Sequence, residues 1–371
     1  LTGAFDMPTS QLHISVDSIT ANYLSLNALS SDVCATGAAV KADAYGLGMT
    51  AIAPALHKAG CRHFFVARLD EALSLRKTFR SLNLQADIIV FDGPRSGEMN
   101  DYSAFDIIPT LNHEAQLPLL RDEAIRTQSA KRAYLHSDTA MSRLGMSPAA
   151  TKQALQDAPD TGIHIDVIMS HLACADEPDN SLNEVQRERL EACCAFAPQI
   201  PVSLANSGGI LLGPDYHYQL TRPGISLYGC SADDSPSEFL QPAIMWQADI
   251  LQIAEVPAGS TIGYGASFTA ETDMIVATIG AGYADGYPRD LSGKACVEIA
   301  GSLAPLVGRV SMDVITVDIS ALTPTQRSAA QQACLIGAHY SASQMAADTH
   351  TISYEILTGL GARLLRLYDT A

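Results

Sequence analysis

The sequence predicts an α/β fold in two parts: an N-terminal (β/α)8 barrel of the TIM type and a C-terminal, mainly antiparallel β domain. Two observations lead to this prediction. In the first part, short apolar segments rich in β-formers alternate with amphipathic stretches such as DEALSLRKTFR (70–80). After a polar linker, SADDSPSEF (231–239), short strands follow one another with few helices between them. Continuous apolar strands that alternate with helices are typical of a parallel sheet covered on both faces.

Eight segments of the first part are predicted as strands because they are short, apolar and bounded by turn residues. They cover residues 34–41, 63–69, 86–92, 105–111, 132–138, 164–171, 202–207 and 224–229. Eight strands that alternate with helices indicate a closed barrel, with a doubly wound sheet as the alternative. We assign the barrel to residues 10–238.

The second domain is predicted from 239 to 371. Its segments include AIMWQADILQIAEV (243–256) and LAPLVGRVSMDVITVDIS (303–320), which are typical of consecutive antiparallel strands. The opening LHISVDS (12–18) also alternates in polarity, so residues 1–15 are a candidate extra strand of this domain.

Composition excludes several classes of function. The 371 residues are 47% hydrophobic and 17% charged, which predicts a large core rather than disorder. A net charge of −17 argues against a nucleic-acid partner, and no apolar run is long enough to cross a bilayer. The eight cysteines include no CxxC pair, so we expect reduced thiols in the cytoplasm and no metal site.

Polar residues cluster at the ends of the predicted barrel strands. Lys41 ends the first strand, Arg143 follows the fifth, His171 ends the sixth, Ser207 ends the seventh, and Arg222 precedes the eighth. Because the carboxyl ends of barrel strands form the active-site face, these residues predict a binding site for an anionic ligand. Each also has an ordinary structural interpretation: a rim lysine with a carboxylate partner, a core histidine, a helix start or a turn.

Nine segments, in order, resemble the bacterial alanine racemases, which use pyridoxal 5′-phosphate. They are AVKADAYGLG (39–48), DTAMSRLG (138–145), MSHLACADE (169–177), ANSGG (205–209), RPGISLYG (222–229), IGYGASF (262–268), GYADGYPR (282–289), GRVSMD (308–313) and ISYEILTGL (352–360). The resemblance covers almost the whole chain. It implies the two-domain architecture predicted above and a homodimer with active sites at the subunit interface.

The resemblance implies a set of cofactor-binding residues. Lys41 would form a Schiff base with the pyridoxal aldehyde, and Arg222 would face the pyridine nitrogen. The remaining cofactor-binding residues by resemblance are Tyr45, His171, Asn206, Ser207, Gly224, Ile225 and Tyr354. Neutral hydroxyls and N–H groups among them suit a phosphate without burying full countercharges.

The resemblance also implies a two-base racemisation of L-alanine and D-alanine through the substrate's own Schiff base with the cofactor. Lys41 would remove the Cα proton of the D-substrate, and Tyr264 of the partner subunit would remove that of the L-substrate. A hydrogen-bonded series from Tyr264 through His171 to Arg222 would tune the tyrosine as a base. Arg143 and the Met312 N–H would hold the substrate carboxylate. The residues implied for the substrate corridor are Asp176, Tyr283, Arg289, Arg309 and Ile352. The implied role is supply of D-alanine for peptidoglycan.

Three positions depart from the family pattern. His136 stands where the family often has a carbamylated lysine that supports Arg143, so we expect a bound anion, a water or His136 itself in that role. Ala140 replaces the glycine of the DTG motif, and Leu47 replaces a common histidine. These departures bear on the placement of Arg143 and on substrate preference more than on the reaction class.

Three other functions are weighed against alanine racemisation. A racemase of broader or shifted specificity, acting on serine or basic amino acids, would share every catalytic residue. A pyridoxal-phosphate decarboxylase on the same barrel would carry a carboxylate at the ring nitrogen, where Arg222 stands here. A non-enzymatic cofactor-binding barrel would not need Tyr264 or Met312.

Overall fold

The computed structural model describes residues 9–31 and 33–369. The chain divides into two compact units. One contains residues 19–227 and 231–241, and the other contains residues up to 18, 228–230 and 242 onward. Each unit is described by itself below.

The first unit is a barrel of parallel strands. The strands are β2 (Ala35–Thr36), β3 (Ala38–Ala39), β4 (His63–Val66), β5 (Asp87–Val90), β6 (Ile108–Leu111), β7 (Lys131–His136), β8 (Ile163–Met169), β9 (Val202–Ser203) and β10 (Leu220–Thr221). β3 to β9 pair in chain order, and β10 pairs with β2, which continues into β3. The predicted barrel is therefore confirmed.

Helices alternate with these strands. They are α1 (Val16–Ala28), α2 (Lys41–Tyr45), α3 (Met49–Lys58), α4 (Leu69–Ser81), α5 (Met99–Phe105), α6 (Leu117–Thr127), α7 (Pro148–Asp157), α8 (Leu182–Cys194) and α9 (Ser207–Leu211). A cluster of buried side chains fills the barrel interior, and nearly every strand contributes to it: Ala39, Phe65, Ile89, Ile108, Tyr134, Val167, Met169 and Leu220. The interior is thus a packed core, as expected for a barrel of eight strands.

The eighth strand lies a few residues earlier than predicted. The sequence predicts a strand over 224–229, but Ile225–Tyr228 forms a 3-10 turn and the strand is β10. Pro223 explains the difference, because it has no N–H to continue the ladder beyond Thr221. The prediction followed the apolar residues of GISLYG, which are buried in the turn instead.

The second unit is a mainly antiparallel sheet. Its strands are β1 (Ser10–Ile14), β11 (Ile244–Val256), β12 (Thr261–Ile262), β13 (Phe268–Thr269), β14 (Met274–Ile279), β15 (Cys296–Ile299), β16 (Ser302–Pro305), β17 (Ile315–Asp318), β18 (Gln332–Ile336) and β19 (Leu365–Tyr368). The helices α10 (Pro324–Ala329), α11 (Ala342–Asp348) and α12 (Ser353–Thr358) are short. The long strand β11 pairs with β1 and β18 through its first half and with β14 through its second half, across an irregularity between Ile250 and Gln252.

The N-terminal segment belongs to this sheet. β1 pairs antiparallel with β11 and parallel with β19. Trp246 of β11 is fully buried, and its indole N–H donates to Ser10 Oγ at 2.7 Å. The part of the proposed extra strand at residues 1–8 lies outside the described residues.

No helix within 9–31 and 33–369 has the length and apolar character needed to cross a membrane.

Candidate active site

The barrel unit carries most of the predicted site residues, and all of these lie at or beyond the carboxyl ends of its strands. They are Lys41 and Tyr45 after β3, Arg143 after β7, His171 and Asp176 after β8, Asn206 and Ser207 after β9, and Arg222, Gly224 and Ile225 after β10. Parallel strands bring these ends to one face of the barrel. The order of short strands and turns in the sequence thus places residues nearly 200 positions apart on the same rim.

Lys41 opens a left-handed turn that sequence patterns did not predict. Ala42, Asp43, Ala44 and Tyr45 all have φ between 52° and 58°. For residues with a Cβ, this conformation costs roughly 1–2 kcal/mol each. The turn is hydrogen-bonded, with Gly46 N–H donating to Ala42 O at 2.7 Å. The one signal in the sequence is the run of small residues and glycines after the lysine.

The Lys41 side chain is mostly buried, and its Nζ lies 5.8 Å from the centroid of the Phe91 ring. Burial lowers the pKa of Lys41, and the charge of Arg143 lowers it further, against the opposing charges of Glu71 and Asp92. A lower pKa increases the fraction of neutral amine, the form that attacks a carbonyl carbon.

Arg222 is a buried guanidinium that no carboxylate contacts in the described part of the chain. Its side chain donates to Ser203 Oγ, to Ser170 O at 2.6 Å and to Leu204 O at 3.2 Å. Burial lowers the pKa of Arg222 to about 10. The Nε–H is buried and meets no acceptor among the described residues. A buried donor without an acceptor is costly, so this atom fits a ligand that offers a lone pair.

Ser207, at the start of α9, accepts two backbone N–H groups from the β10 loop. Gly224 N–H donates to Ser207 Oγ at 2.9 Å and Ser226 N–H donates to it at 3.3 Å. A Cβ at position 224 would lie 2.2 Å from Tyr45 Oη, so only glycine lets the tyrosine hydroxyl reach this loop. Hydroxyls and N–H groups converge here in a geometry that suits a small oxyanion.

Asn206 orders this segment. Its Oδ1 accepts the N–H of Gly209 at 2.9 Å, an N-cap of the kind that begins helices. A Cβ at Gly208 would lie 2.6 Å from Ala175 O, so the glycine allows the close approach of α9 to the loop after β8.

His171 is held neutral by its surroundings. Burial lowers the pKa of His171 well below its ordinary value, and the charges of Arg222, Lys41 and Arg143 act in the same direction. The hydrogen-bonded series predicted from Tyr264 through His171 to Arg222 includes a bond between His171 and Arg222. These two side chains, both within the described residues, make no such bond. The two residues are coupled by charge.

The loop that carries Arg143 is organised by Asp138. Its Oδ1 accepts the N–H groups of Ala140, Met141 and Ser142 at 3.0–3.1 Å. Burial opposes ionisation of Asp138, but these three donors outweigh it and lower the pKa of the carboxyl. Ala140 has φ = 117°, a conformation that glycine adopts readily and alanine does not. The alanine therefore holds, at a cost in strain, a conformation that suits glycine.

His136 is supported by Asn112, a residue that the sequence analysis missed. Asn112 Nδ2 donates to Phe91 O at 2.7 Å, so its Oδ1 is the atom that faces His136 Nδ1 at 2.8 Å. Nδ1 of His136 must then carry the proton, which leaves Nε2 as an acceptor. Burial and the charge of Arg222 lower the pKa of His136 to about 4, so this histidine is neutral near pH 7.

The second unit carries the other predicted site residues on its loops. Tyr264 lies at the tip of the β12–β13 hairpin with 74% of its surface exposed. The Arg309 side chain lies against Gly265, the residue after Tyr264: a Cβ built at Gly265 would be 3.0 Å from Arg309 Nη1. Met312 and Tyr283 come together, since Tyr283 N–H donates to Ser311 O at 3.1 Å. Arg289 is in a 3-10 turn, and Ile352 and Tyr354 flank the start of α12.

Together, the fold and the site define a class of barrel protein in which a lysine of lowered pKa, a buried arginine and a group of hydroxyl and N–H groups lie at the carboxyl ends of the strands. The chain matches two family models: alanine racemase, N-terminal domain, over residues 14–232, and alanine racemase, C-terminal domain, over residues 243–368. The chain therefore belongs to the alanine racemase family.

Individual relatives agree with this assignment. The protein named "Alanine racemase, catabolic" of Agrobacterium fabrum is 43% identical over 366 residues, which cover 96% of this chain and 92% of that protein. The alanine racemase of Rhodospirillum rubrum is 38% identical over 367 residues, which cover 99% and 97%. The crystal structure of alanine racemase from Bartonella henselae with covalently bound pyridoxal phosphate superposes with a TM-score of 0.91, at 36% identity, covering 98% of this chain and 100% of that one.

We expect Ala140→Gly to stabilise the barrel unit. A residue held at a sparsely populated φ costs about 1–3 kcal/mol, and glycine would remove most of this cost at the price of a more flexible unfolded chain. The net gain should be about 1 kcal/mol, measured as a higher urea midpoint. Ala192→Gly, at an exposed position of α8, is the matched control and should lose about 1 kcal/mol. Loss of stability in both variants would contradict the strain.

We expect acid to destabilise the protein partly through His136. The folded-state pKa of about 4 lies below the unfolded value of about 6.5, so the unfolded chain binds more protons between these values. Stability from this group is therefore lost as pH falls from about 6.5 to about 4, by about 3 kcal/mol in total. His136→Asn, which keeps a donor for Asn112, should have a flatter stability profile in that window. Parallel profiles for the two proteins would contradict the assignment.

Proposed function

We propose that the protein interconverts L-alanine and D-alanine with pyridoxal 5′-phosphate as cofactor. The observation that carries the proposal is the pairing of a lysine of lowered pKa with a buried arginine whose Nε–H has no acceptor among the described residues. Both lie at the carboxyl end of the barrel strands, on the side where Ser207 gathers N–H groups. The names of the relatives support the same reaction.

The chain's residues fit this cofactor. Lys41 Nζ would hold the aldehyde carbon covalently, and Arg222 Nε would donate to the ring nitrogen. The phosphate would be held by hydroxyls and N–H groups. The residues proposed for the phosphate and ring contacts are Tyr45, His171, Asn206, Ser207, Gly224, Ile225 and Tyr354. Because a guanidinium does not release its proton, Arg222 would leave the ring nitrogen unprotonated.

When bound, the cofactor withdraws electrons from the substrate Cα and so makes its proton acidic. Racemisation then needs a base on each face of Cα. Lys41, freed when substrate takes its place, would move the proton of D-alanine, and Tyr264 would move that of L-alanine. Burial and the charges of Arg222, Lys41 and Arg143 keep His171 neutral, and by the resemblance its ring would be the hydrogen-bond partner of Tyr264.

Arg143 and the N–H of Met312 would bind the substrate carboxylate, since a guanidinium fork matches a carboxylate in geometry. His136 would support Arg143 through its Nε2 lone pair. This arrangement replaces a charged carbamate by a neutral imidazole. The proposed corridor residues, which would admit small amino acids, are Asp176, Tyr283, Arg289, Arg309 and Ile352.

We propose a homodimer in which Tyr264 acts in the partner's active site. In the single chain, Tyr264, Met312 and Ile352 expose 74%, 52% and 53% of their surfaces. An active-site base acts where water is excluded, so the exposed Tyr264 needs cover to fill this role. A second copy is the cover that we propose. The product would supply D-alanine for peptidoglycan in the cytoplasm, where thiols stay reduced.

The reaction is tested by proton NMR of L-alanine with the purified protein and pyridoxal 5′-phosphate in D2O, followed by chiral analysis. We expect the Cα proton signal to disappear while D-alanine accumulates. An unchanged alanine signal would reject alanine as substrate. The same assay with serine, lysine and arginine would then identify a racemase of shifted specificity.

Tyr264→Phe should separate the two bases. Conversion of L-alanine to D-alanine should fall at least about 100-fold, because a general base contributes about 10²–10⁴ to the rate. D-alanine should still exchange its Cα proton for deuterium with retained configuration, since Lys41 acts on that face. Tyr218→Phe, at the barrel surface, is the matched control and should remain within about twofold of wild type. Undiminished racemisation by Tyr264→Phe would reject the role of this tyrosine.

A further inference from the structure

The carboxylate of Glu71 joins the first two loops of the barrel rim. Glu71 lies in the first turn of α4, and its Oε1 accepts the N–H of Ala42 at 2.6 Å. Its Oε2 accepts the N–H groups of Ala67 and Arg68 at 2.8 and 3.2 Å. One side chain therefore ties the residue that follows Lys41 to the end of the neighbouring strand.

The turn that Glu71 holds is in a conformation that its residues do not prefer. Ala42 to Tyr45 are left-handed, and a backbone of this kind persists only when its surroundings over-determine it. Two side-chain contacts provide this. Glu71 accepts the N–H of Ala42 at the start of the turn, and Asp43 Oδ1 accepts the N–H of Met49, which lies four residues beyond the end of the turn, at 2.8 Å.

We propose that Glu71 is a positioning residue for Lys41, in that its carboxylate holds the left-handed turn that aims the lysine into the site. The inference rests on the proposed function, in which Lys41 carries the cofactor. Glu71 acts through the backbone of the turn and need not touch substrate.

An ordinary capping role does not account for the contacts. A glutamate in the first turn of a helix commonly accepts N–H groups just before that helix, as Glu71 does from Ala67 and Arg68. The bond from Ala42 comes from a different loop, 29 positions earlier in the chain. Both carboxylate oxygens of Glu71 accept N–H groups. In a glutamine one of these oxygens becomes an NH2 group, which is a donor and would face a backbone N–H.

A test of Glu71 must distinguish the effect of its negative charge on the pKa of Lys41 from the effect of its hydrogen bonds on the turn. Arg143, Glu71 and Asp92 are the charged groups that act on Lys41; Arg143 lowers the pKa of the lysine, and the two carboxylates raise it. Asp92 lies near Arg95, with 3.8 Å between Oδ2 and Nη2, and makes no hydrogen bond to the Lys41 turn among the described residues. Asp92→Asn therefore removes a comparable charge and leaves the turn held.

The experiment compares Glu71→Gln with Asp92→Asn in the full-length protein. Each protein is stripped of cofactor and titrated with pyridoxal 5′-phosphate by absorbance at several pH values. Borohydride reduction and peptide mapping then report how much cofactor is bound at Lys41. Thermal unfolding of each cofactor-free protein shows whether the variant is folded.

We expect Glu71→Gln to weaken cofactor binding about tenfold, the loss of one hydrogen bond to a charged group. Asp92→Asn should stay within about twofold. Removing either negative charge should move the pH midpoint of capture by Lys41 downward, because each carboxylate raises the pKa of the lysine. Equal cofactor affinity in the two variants would overturn the positioning role.

Glu71→Asp provides a second route that does not depend on the folding of Glu71→Gln. It keeps the charge but is one methylene shorter, so it should not span both loops. We expect weaker cofactor binding without a change in the pH midpoint, and wild-type binding would overturn the proposal. Failure of the proposed function is distinguishable, since wild-type protein would then carry no borohydride label at Lys41.

Discussion

Closure of the barrel is the constraint on which the active site depends. The first strand pairs in parallel with the last, Ala35 with Leu220 and Thr36 with Thr221, and Ala39 N–H continues the contact to Pro223 O at 2.9 Å. Gly37 lies between these two contacts, and a Cβ there would be 2.6 Å from the Phe65 ring and 3.3 Å from Thr221 O of the last strand. These backbone bonds bring the ends of the first and last strands to the same edge. Lys41, Arg222 and the N–H groups gathered at Ser207 lie at the same end of the barrel because the sheet closes, although up to about half the length of the chain separates them.

The electrostatics of the rim follow from this crowding. Lys41, Arg222, His171 and His136 are buried to different extents, and each has a lowered pKa, with burial as the largest cause. Burial disfavours the charged form of every one of them. The two histidines respond by staying neutral, whereas a guanidinium retains its proton and distributes its N–H groups over Ser203 Oγ and carbonyl oxygens. Such a site favours an anionic ligand, which would restore the balance of charge that the protein itself does not supply.

Residues with strained backbone conformations also lie at this end of the barrel. The left-handed turn after Lys41 and the φ of 117° at Ala140 are both within loops that carry predicted catalytic or substrate-binding residues. Each is stabilised by a carboxylate that accepts backbone N–H groups, Glu71 for the Lys41 turn and Asp138 for the Arg143 loop. The free energy stored in these loops is offset by the packed interior beneath them, which is a general feature of sites built on rigid scaffolds.

The sequence by itself determined the fold class. It also predicted the two-part organisation and, through its resemblance to a family, a set of site residues that stay predictions. Periodicity and turn residues are local properties, so they can be read along the chain. It misplaced the eighth strand, because apolar residues in a buried 3-10 turn have the same pattern as those in a strand. The sequence did not predict the left-handed turn, the hydrogen bond from Ala42 N–H to Glu71 or the contact of His136 with Asn112. The Glu71 and Asn112 contacts join residues 29 and 24 positions apart, and the turn is left-handed although its residues do not prefer that conformation. Only the tertiary structure decided these features, because the curvature of the barrel sets which loops meet.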